Sequence, residues 1–243
     1  MLLTVALTVA AACAAYAQER PAEDIYEAYV AGDMGRWGET IAAMEAASLD
    51  AAGLRELAEY YYGYAGYLTG SGDRKAADDC IRRADRLADR LLEEHGSDAA
   101  VLAFKGIFAA YGMALHKVKT PVLGPRCLKY IEAAYRADSC DVYALAAMGN
   151  MRFYSPAVFG GDKEEGIRHV ARAVERYEAT GRTSRDWHYL YLLTTLARFM
   201  EETGRYGEAV RVYEKALAVE PRLTWVRDEL LPPLRTKAAV AKR

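Results

Sequence analysis

The sequence predicts an all-α fold: a right-handed solenoid of helix-turn-helix repeats finished by a C-terminal capping helix. Three observations carry this. One pattern of small and large apolar residues recurs along the chain in the same frame. Proline and paired glycine fall between these units, where they stop and restart helices. The composition, 52% hydrophobic and 27% charged over 243 residues, belongs to a folded chain that is neither disordered nor an integral membrane protein.

The first segment, MLLTVALTVAAACAAYA, has no charged side chain and ends Ala15-Tyr16-Ala17. An apolar run closed by A-x-A is the pattern of a secretory signal, so residues 1–17 are read as a signal peptide and 18–243 as one domain. Two alternatives stand beside cleavage: a retained membrane anchor, or lipidation at Cys13. Of the remaining cysteines, Cys80, Cys127 and Cys140, an odd number excludes a fully paired framework. Cys127 and Cys140 flank a helical run and stand beyond disulfide reach, so the cysteines are read as small packing residues.

Five helix pairs follow. The first is short, with Ala28 on its first helix and Trp37, Thr40, Met44 and Ala47 on its second. The second sets Tyr62 and Gly63 against Ala77, Ile81 and Ala84. The third sets Leu102 and Gly106 against Cys127, Ile131 and Ala134, and the fourth sets Leu145, Met148 and Gly149 against Gly166, Val170 and Ala173. The fifth, Leu190 to Pro221, is the clearest: Leu193, Leu196 and Ala197, a turn at Gly204 and Tyr206, then Ala209, Tyr213 and Ala216. Small residues let two helices approach, large ones fill the gap, and Pro221 ends the second helix. The last segment, about 222–240, reads as a cap in which Trp225, Leu230 and Leu231 cover the end of the stack and Pro232-Pro233 kink or stop it.

The spacing is long for such a unit. Gly63 to Gly106 is 43 residues, Gly106 to Gly149 is 43, and Gly149 to Ala197 is 48. The surplus is assigned to loops inside the third and fourth pairs, KVKTPVLGPRC and FYSPAVFGGDKEEG. They share a pattern: Thr120-Pro121 then Leu123-Gly124, and Ser155-Pro156 then Phe159-Gly160. A residue before proline is pushed out of the helical region, so Thr120 and Ser155 should end their helices. Leu123 and Phe159 should fold back into the gap between helices. Asp162, after Gly160-Gly161, is a natural N-cap, with Glu165 completing a capping-box pattern. Pro121, Leu123, Pro156, Phe159, Gly160, Gly161 and Asp162 thus mark two ridges on one edge, which either bind or only brace.

The fifth unit resembles a tetratricopeptide repeat, whose ordinary period is about 34 residues. The segment SPAVFGGDKEEGIRHVARAVE is similar to one found in exported bacterial proteins of this type and in the T component of TRAP-type transporters. The resemblance spans roughly Trp37 to Pro221 and brings no catalytic residues. It implies a periplasmic or surface scaffold, in the second case one serving a transporter.

In that repeat type the first helix of each pair lines a concave groove. The resemblance places Tyr60, Tyr64, Tyr67, Ile107, Tyr111, Tyr143, Asn150, Phe153, Tyr154, Tyr191 and Arg198 there, with Glu201 and Glu202 at the charged end. Aromatic anchors with a few polar groups suit a peptide or small-ligand site. The alternative is that these tyrosines pack between helices.

Other classes find little support. Lys plus Arg total 32 against 34 Asp plus Glu, a net charge of −2, so nothing favours nucleic acid. His95, His116, His169 and His188 stand apart from one another, with no Cys or His pair at metal-ligand spacing. No phosphate-binding or nucleophile-elbow motif occurs, TGSGD at Thr69 to Asp73 reads as a turn capped by Asp73, and DDCIRRADRLADRLLEE reads as a solvated helix face. The expectation is a non-enzymatic exported scaffold with no cofactor and no metal, binding a protein or peptide. The alternative is an accessory uptake component holding a small solute. Membrane association is expected only through a lipid or a retained signal.

Overall fold

Seven aspartates set where helices begin. In the computed structural model, which describes residues 21–241, the side chains of Asp33, Asp50, Asp73, Asp98, Asp141, Asp162 and Asp186 each accept a hydrogen bond from a backbone N–H of the following first turn. The expected signal and Cys13 lie outside the described residues. Eleven helices follow in order: α1 (21–31), α2 (Met34–Ala46), α3 (Ala51–Ser71), α4 (Arg74–His95), α5 (Ala99–Leu115), α6 (Thr120–Ala137), α7 (Val142–Tyr154), α8 (Lys163–Thr180), α9 (Trp187–Glu202), α10 (Tyr206–Val219) and α11 (Leu231–Val240). No strand occurs among the described residues.

Consecutive helices pack on one another, and α5 also packs on α3 and on α7. The recurring small residues explain the close approach. A Cβ on Gly106 of α5 would lie 2.5 Å from the Ile131 side chain of α6, and one on Gly149 of α7 would lie 2.6 Å from Val170 of α8. In the last pair Leu193, Ala197, Ala209, Tyr213 and Ala216 are buried. Gly72, Gly181 and Gly204 take positive φ at the ends of α3, α8 and α9, which ordinary residues avoid.

The third pair departs from expectation. KVKTPVLGPRC is not an elongated loop. A short 3₁₀ turn, Lys117–Lys119, leads directly into α6, with Thr120 in the helical region at φ −53° and ψ −41°. Pro121 therefore sits in the first turn of a helix, where its missing N–H has no partner to lose. Pro125 lies inside the same helix. Only the fourth pair keeps a long connection: Ser155 leaves the helix in extended geometry, a 3₁₀ turn spans Ala157–Phe159, and Asp162 caps α8. The two segments share a sequence pattern but not a structure. Helix length absorbs the surplus in the second and third pairs, and a loop absorbs it in the fourth.

The C-terminal segment also differs in detail. Trp225–Leu230 form a π-helix that runs into α11. Pro232 and Pro233 have no N–H for the carbonyls four residues back. The chain widens before them, and the Leu231 N–H bonds the Val226 carbonyl. Leu223, Val226, Leu231 and Leu234 are the buried residues of this cap, whereas Trp225 is exposed.

The first and last helical units meet. The Tyr26 hydroxyl of α1 donates to Glu220 at 2.9 Å, Arg222 pairs with Glu27 at 2.9 Å, and Arg185 pairs with Glu23 and Glu27. Trp37 of α2 and Trp187 of α9 cross edge to face with centroids 4.9 Å apart. An extended repeat array keeps its first and last units apart; here they share a core.

Candidate functional site

The residues of the first helices expected to line the groove divide into two groups. Tyr60 on α3, Ile107 on α5, and Tyr143 and Phe153 on α7 are buried. This corrects the expectation that they line an open groove. Ring packing fills that face, with α9 lying against α7 and Trp37 of α2 against Tyr60. Phe153 stacks on Phe199 at 3.7 Å, Tyr143 stacks on His188 at 4.1 Å, and the Tyr60 hydroxyl donates to Glu56.

The second group stays reachable. Tyr67 and Tyr154 are exposed, Arg198, on α9, and Glu202 are exposed, and Tyr64, Tyr111, Asn150, Tyr191 and Glu201 are half-buried. Most lie toward the C-terminal ends of their helices. Glycines position the rings: Tyr64 lies on Gly38, where a Cβ would be 2.6 Å from its hydroxyl, and Tyr111 lies on Gly66, where the gap would be 2.7 Å. Tyr64 and Tyr67 stack at 6.1 Å. Asn150 turns its amide back to the Ala146 carbonyl at 2.9 Å. The glycines among the tyrosines of YYYGYAGY were the legible sign that rings would lie across this helix; which rings was not legible.

Beneath this row lies a polar core that sequence reasoning missed. His188 is fully buried, and burial holds its pKa down to about 3, so the ring is neutral. Its Nδ1 is 3.0 Å from the Tyr177 hydroxyl, and its Nε2 has no partner. Glu59 accepts from Trp187 Nε1 at 3.1 Å, and burial raises its pKa to about 7. Tyr62 packs among Phe104, Tyr143, Trp187, His188 and Tyr191.

The charged face of α4 is also more than solvated surface. Lys105 of α5 is fully buried, with Nζ 2.9 Å from Asp85 and a second bond to Asp89. Arg126 of α6 shares Asp85 at 2.7 Å, and His116 pairs with Asp78 at 2.7 Å. A cavity of about 300 Å³ opens beside them over Ile81, Phe108 and Leu123.

The connecting turns fall into place differently. Leu123 is half-buried on α6, within 3.0 Å of where a Cβ of Gly112 would stand. Phe159 does not plug its gap. It is 77% exposed on the 3₁₀ turn, because α7 and α8 already close through Gly149 and Gly166 and leave no room for a ring. Gly160 takes φ +81°, and a Cβ on Gly161 would lie 1.8 Å from the Ser155 carbonyl, so both glycines are required by the backbone. Pro156 precedes this turn and is exposed. Asp162 caps α8 through the Glu165 N–H at 2.9 Å, but the box is incomplete. The Asp162 N–H bonds the Arg152 carbonyl, and the Glu165 carboxylate lies 3.4 Å from Arg152.

No group of three or more His, Cys, Asp or Glu side chains suited to a metal ion occurs among the described residues. Burial pushes the Cys80 thiol up to about 12 and Cys127 up to about 11, so neither supplies a thiolate near neutrality. The arrangement is an all-α array of consecutively packed helices with an aromatic row above a buried core. No family model matches the chain, and no curated protein matches it.

Proposed function

We propose that this chain is a non-enzymatic binding scaffold of the tetratricopeptide-like type, exported to the periplasm or cell surface, that engages a protein or peptide partner. The array is taken as a right-handed solenoid curved tightly enough for its ends to touch. One observation supports the binding role most: Tyr64, Tyr67, Tyr111, Tyr154 and Tyr191 remain accessible above a floor of stacked rings. A tyrosine offers a rigid apolar face and one polar tip at low entropic cost, which suits anchoring a partner.

Tyr67→Ala combined with Tyr154→Ala removes two exposed rings and leaves the core intact. With the partner isolated from the native envelope fraction and identified, calorimetry should show at least a tenfold loss of affinity at an unchanged melting temperature. Full affinity in the double variant would sink this proposal.

A second reading, an accessory component of a solute-uptake transporter, is supported by His188 Nε2 and the Tyr213 hydroxyl. Both are buried without a hydrogen-bond partner, and a small polar solute could satisfy either.

A further inference from the structure

The four most exposed large apolar side chains among the described residues are Val118 (86%), Val158 (82%), Phe159 (77%) and Val122 (75%). All four belong to two places in the fold. Val118 and Val122 flank the entry to α6, and Val158 and Phe159 tip the turn between α7 and α8. Both turns join the first helix of a pair to its second. Because α3, α5 and α7 lie side by side and their second helices return antiparallel, these turns emerge at one end of the array. Tyr154, also exposed, ends α7 beside them.

The charges at this end are unevenly satisfied. Glu165 is engaged by Arg152, Glu164 by Arg205, and Asp162 by the start of α8. Lys117 and Lys119 are exposed and pair with no carboxylate, and Lys163 has only the face of the Phe153 ring, 5.0 Å away. Asp162 and Glu202, the latter beside Tyr154, carry no cationic partner among the described residues, so charge of both signs is present at this end; the unpaired cations Lys117, Lys119 and Lys163 sit within a residue or a few of the apolar tips.

The backbone of the outer turn is partly closed on itself. The Phe159 and Gly161 N–H groups bond the Pro156 carbonyl, the Gly160 N–H bonds Ala157, and Arg152 holds the Gly160 carbonyl at 2.7 Å. The groups bonded in this way can enter an apolar phase without the cost of bare N–H and C=O.

We propose that this edge docks on an anionic lipid bilayer, with Val118, Val122, Val158 and Phe159 entering the interface and Lys117, Lys119 and Lys163 meeting the headgroups. Protruding apolar tips ringed by unpaired lysines fit a soft anionic surface, with the lysine stems reaching back to the phosphates. No helix among the described residues is long and apolar enough to cross a membrane, so contact here is peripheral. This inference is independent of the tyrosine row, which could bind its partner whether or not the edge meets lipid.

The test uses the full chain, labelled one position at a time with an environment-sensitive fluorophore. Val158→Cys is made with Cys13→Ser and Cys140→Ser, leaving only the buried Cys80 and Cys127. The control carries Cys13→Ser alone and is labelled at Cys140, which is exposed at the opposite end between α6 and α7. On phosphatidylglycerol-containing vesicles the label at 158 should brighten at least twofold and shift to the blue, while the label at 140 stays unchanged. Pure phosphatidylcholine vesicles should give little change, and Lys117→Glu with Lys119→Glu should weaken the response roughly tenfold or more. Three outcomes would each overturn the proposal: a silent label at 158 on protein that floats with the vesicles, equal responses at 158 and 140, or brightening at 158 only when a second protein is added.

Discussion

Glu59 shows how one residue acquires a role from its surroundings. On the sequence it is one acid in ELAEYYYGY; in the structure it accepts from Trp187, 128 residues away. Burial holds its proton to about pH 7, whereas in the unfolded chain it titrates near 4.5. Between those values the folded state carries the extra proton, so its contribution favours folding below pH 4.5 and is lost as pH rises through 7. Arg55, Glu56, Tyr143 and Asp186 are the other titrating groups around it. Glu59→Gln keeps the bond to Trp187 and removes the titration. Urea melts at pH 5 and pH 8 should show the wild type losing roughly 1–3 kcal/mol more than the variant over that window. Parallel profiles would mean that Glu59 ionises freely in the folded protein. At the same scale the buried polar groups were poorly legible. The isolation of His188 in sequence said only that it had no metal-ligand spacing, and its partners come from α3, α7 and α8.

Among elements, α8 tests how a helix is started. Asp162 was readable as its cap from type and place alone, and the structure agrees. The reciprocal half of the box was not readable, because the competing partner, Arg152, belongs to the preceding helix. Asp162→Ala should cost about 1 kcal/mol and speed amide exchange at Lys163 to Glu165, while Asp162→Asn should stay near wild type. An alanine variant with native exchange in that turn would show that the cap is redundant. The start of α6 teaches the opposite lesson. Thr120-Pro121 reads as a helix stop by the rule for residues before proline, yet Thr120 is helical. The rule is statistical and steric; a first-turn proline is compatible with it when the preceding residue begins a helix rather than ends one.

For the whole molecule, the contact between the first and last units adds to the aromatic core around Tyr60 and Tyr62. Trp37 and Trp187 press on Gly63, where a Cβ would come within 2.7–2.9 Å of their rings, and Trp37 Nε1 donates to the Tyr60 carbonyl at 3.1 Å. Trp37→Ala should therefore cost about 3–5 kcal/mol, whereas Trp225→Ala, at an exposed site, should cost under about 1 kcal/mol. Equal losses in chemical denaturation would show that the closure contributes no more than a surface ring.

The sequence by itself determined the all-α class, the pairing of helices, and the small-against-large contacts of Gly106 with Ile131 and Gly149 with Val170. Those depend on spacing within one helix pair, and spacing is written in the chain. Only the tertiary structure decided that Tyr60, Ile107, Tyr143 and Phe153 are core while Tyr67 and Tyr154 are surface, and that Lys105 lies buried between Asp85 and Asp89. Helical periodicity says which residues share a face, but not whether another helix arrives to cover it. That depends on tertiary packing, which lays α9 against α7 and brings residues near 30 against residues near 220.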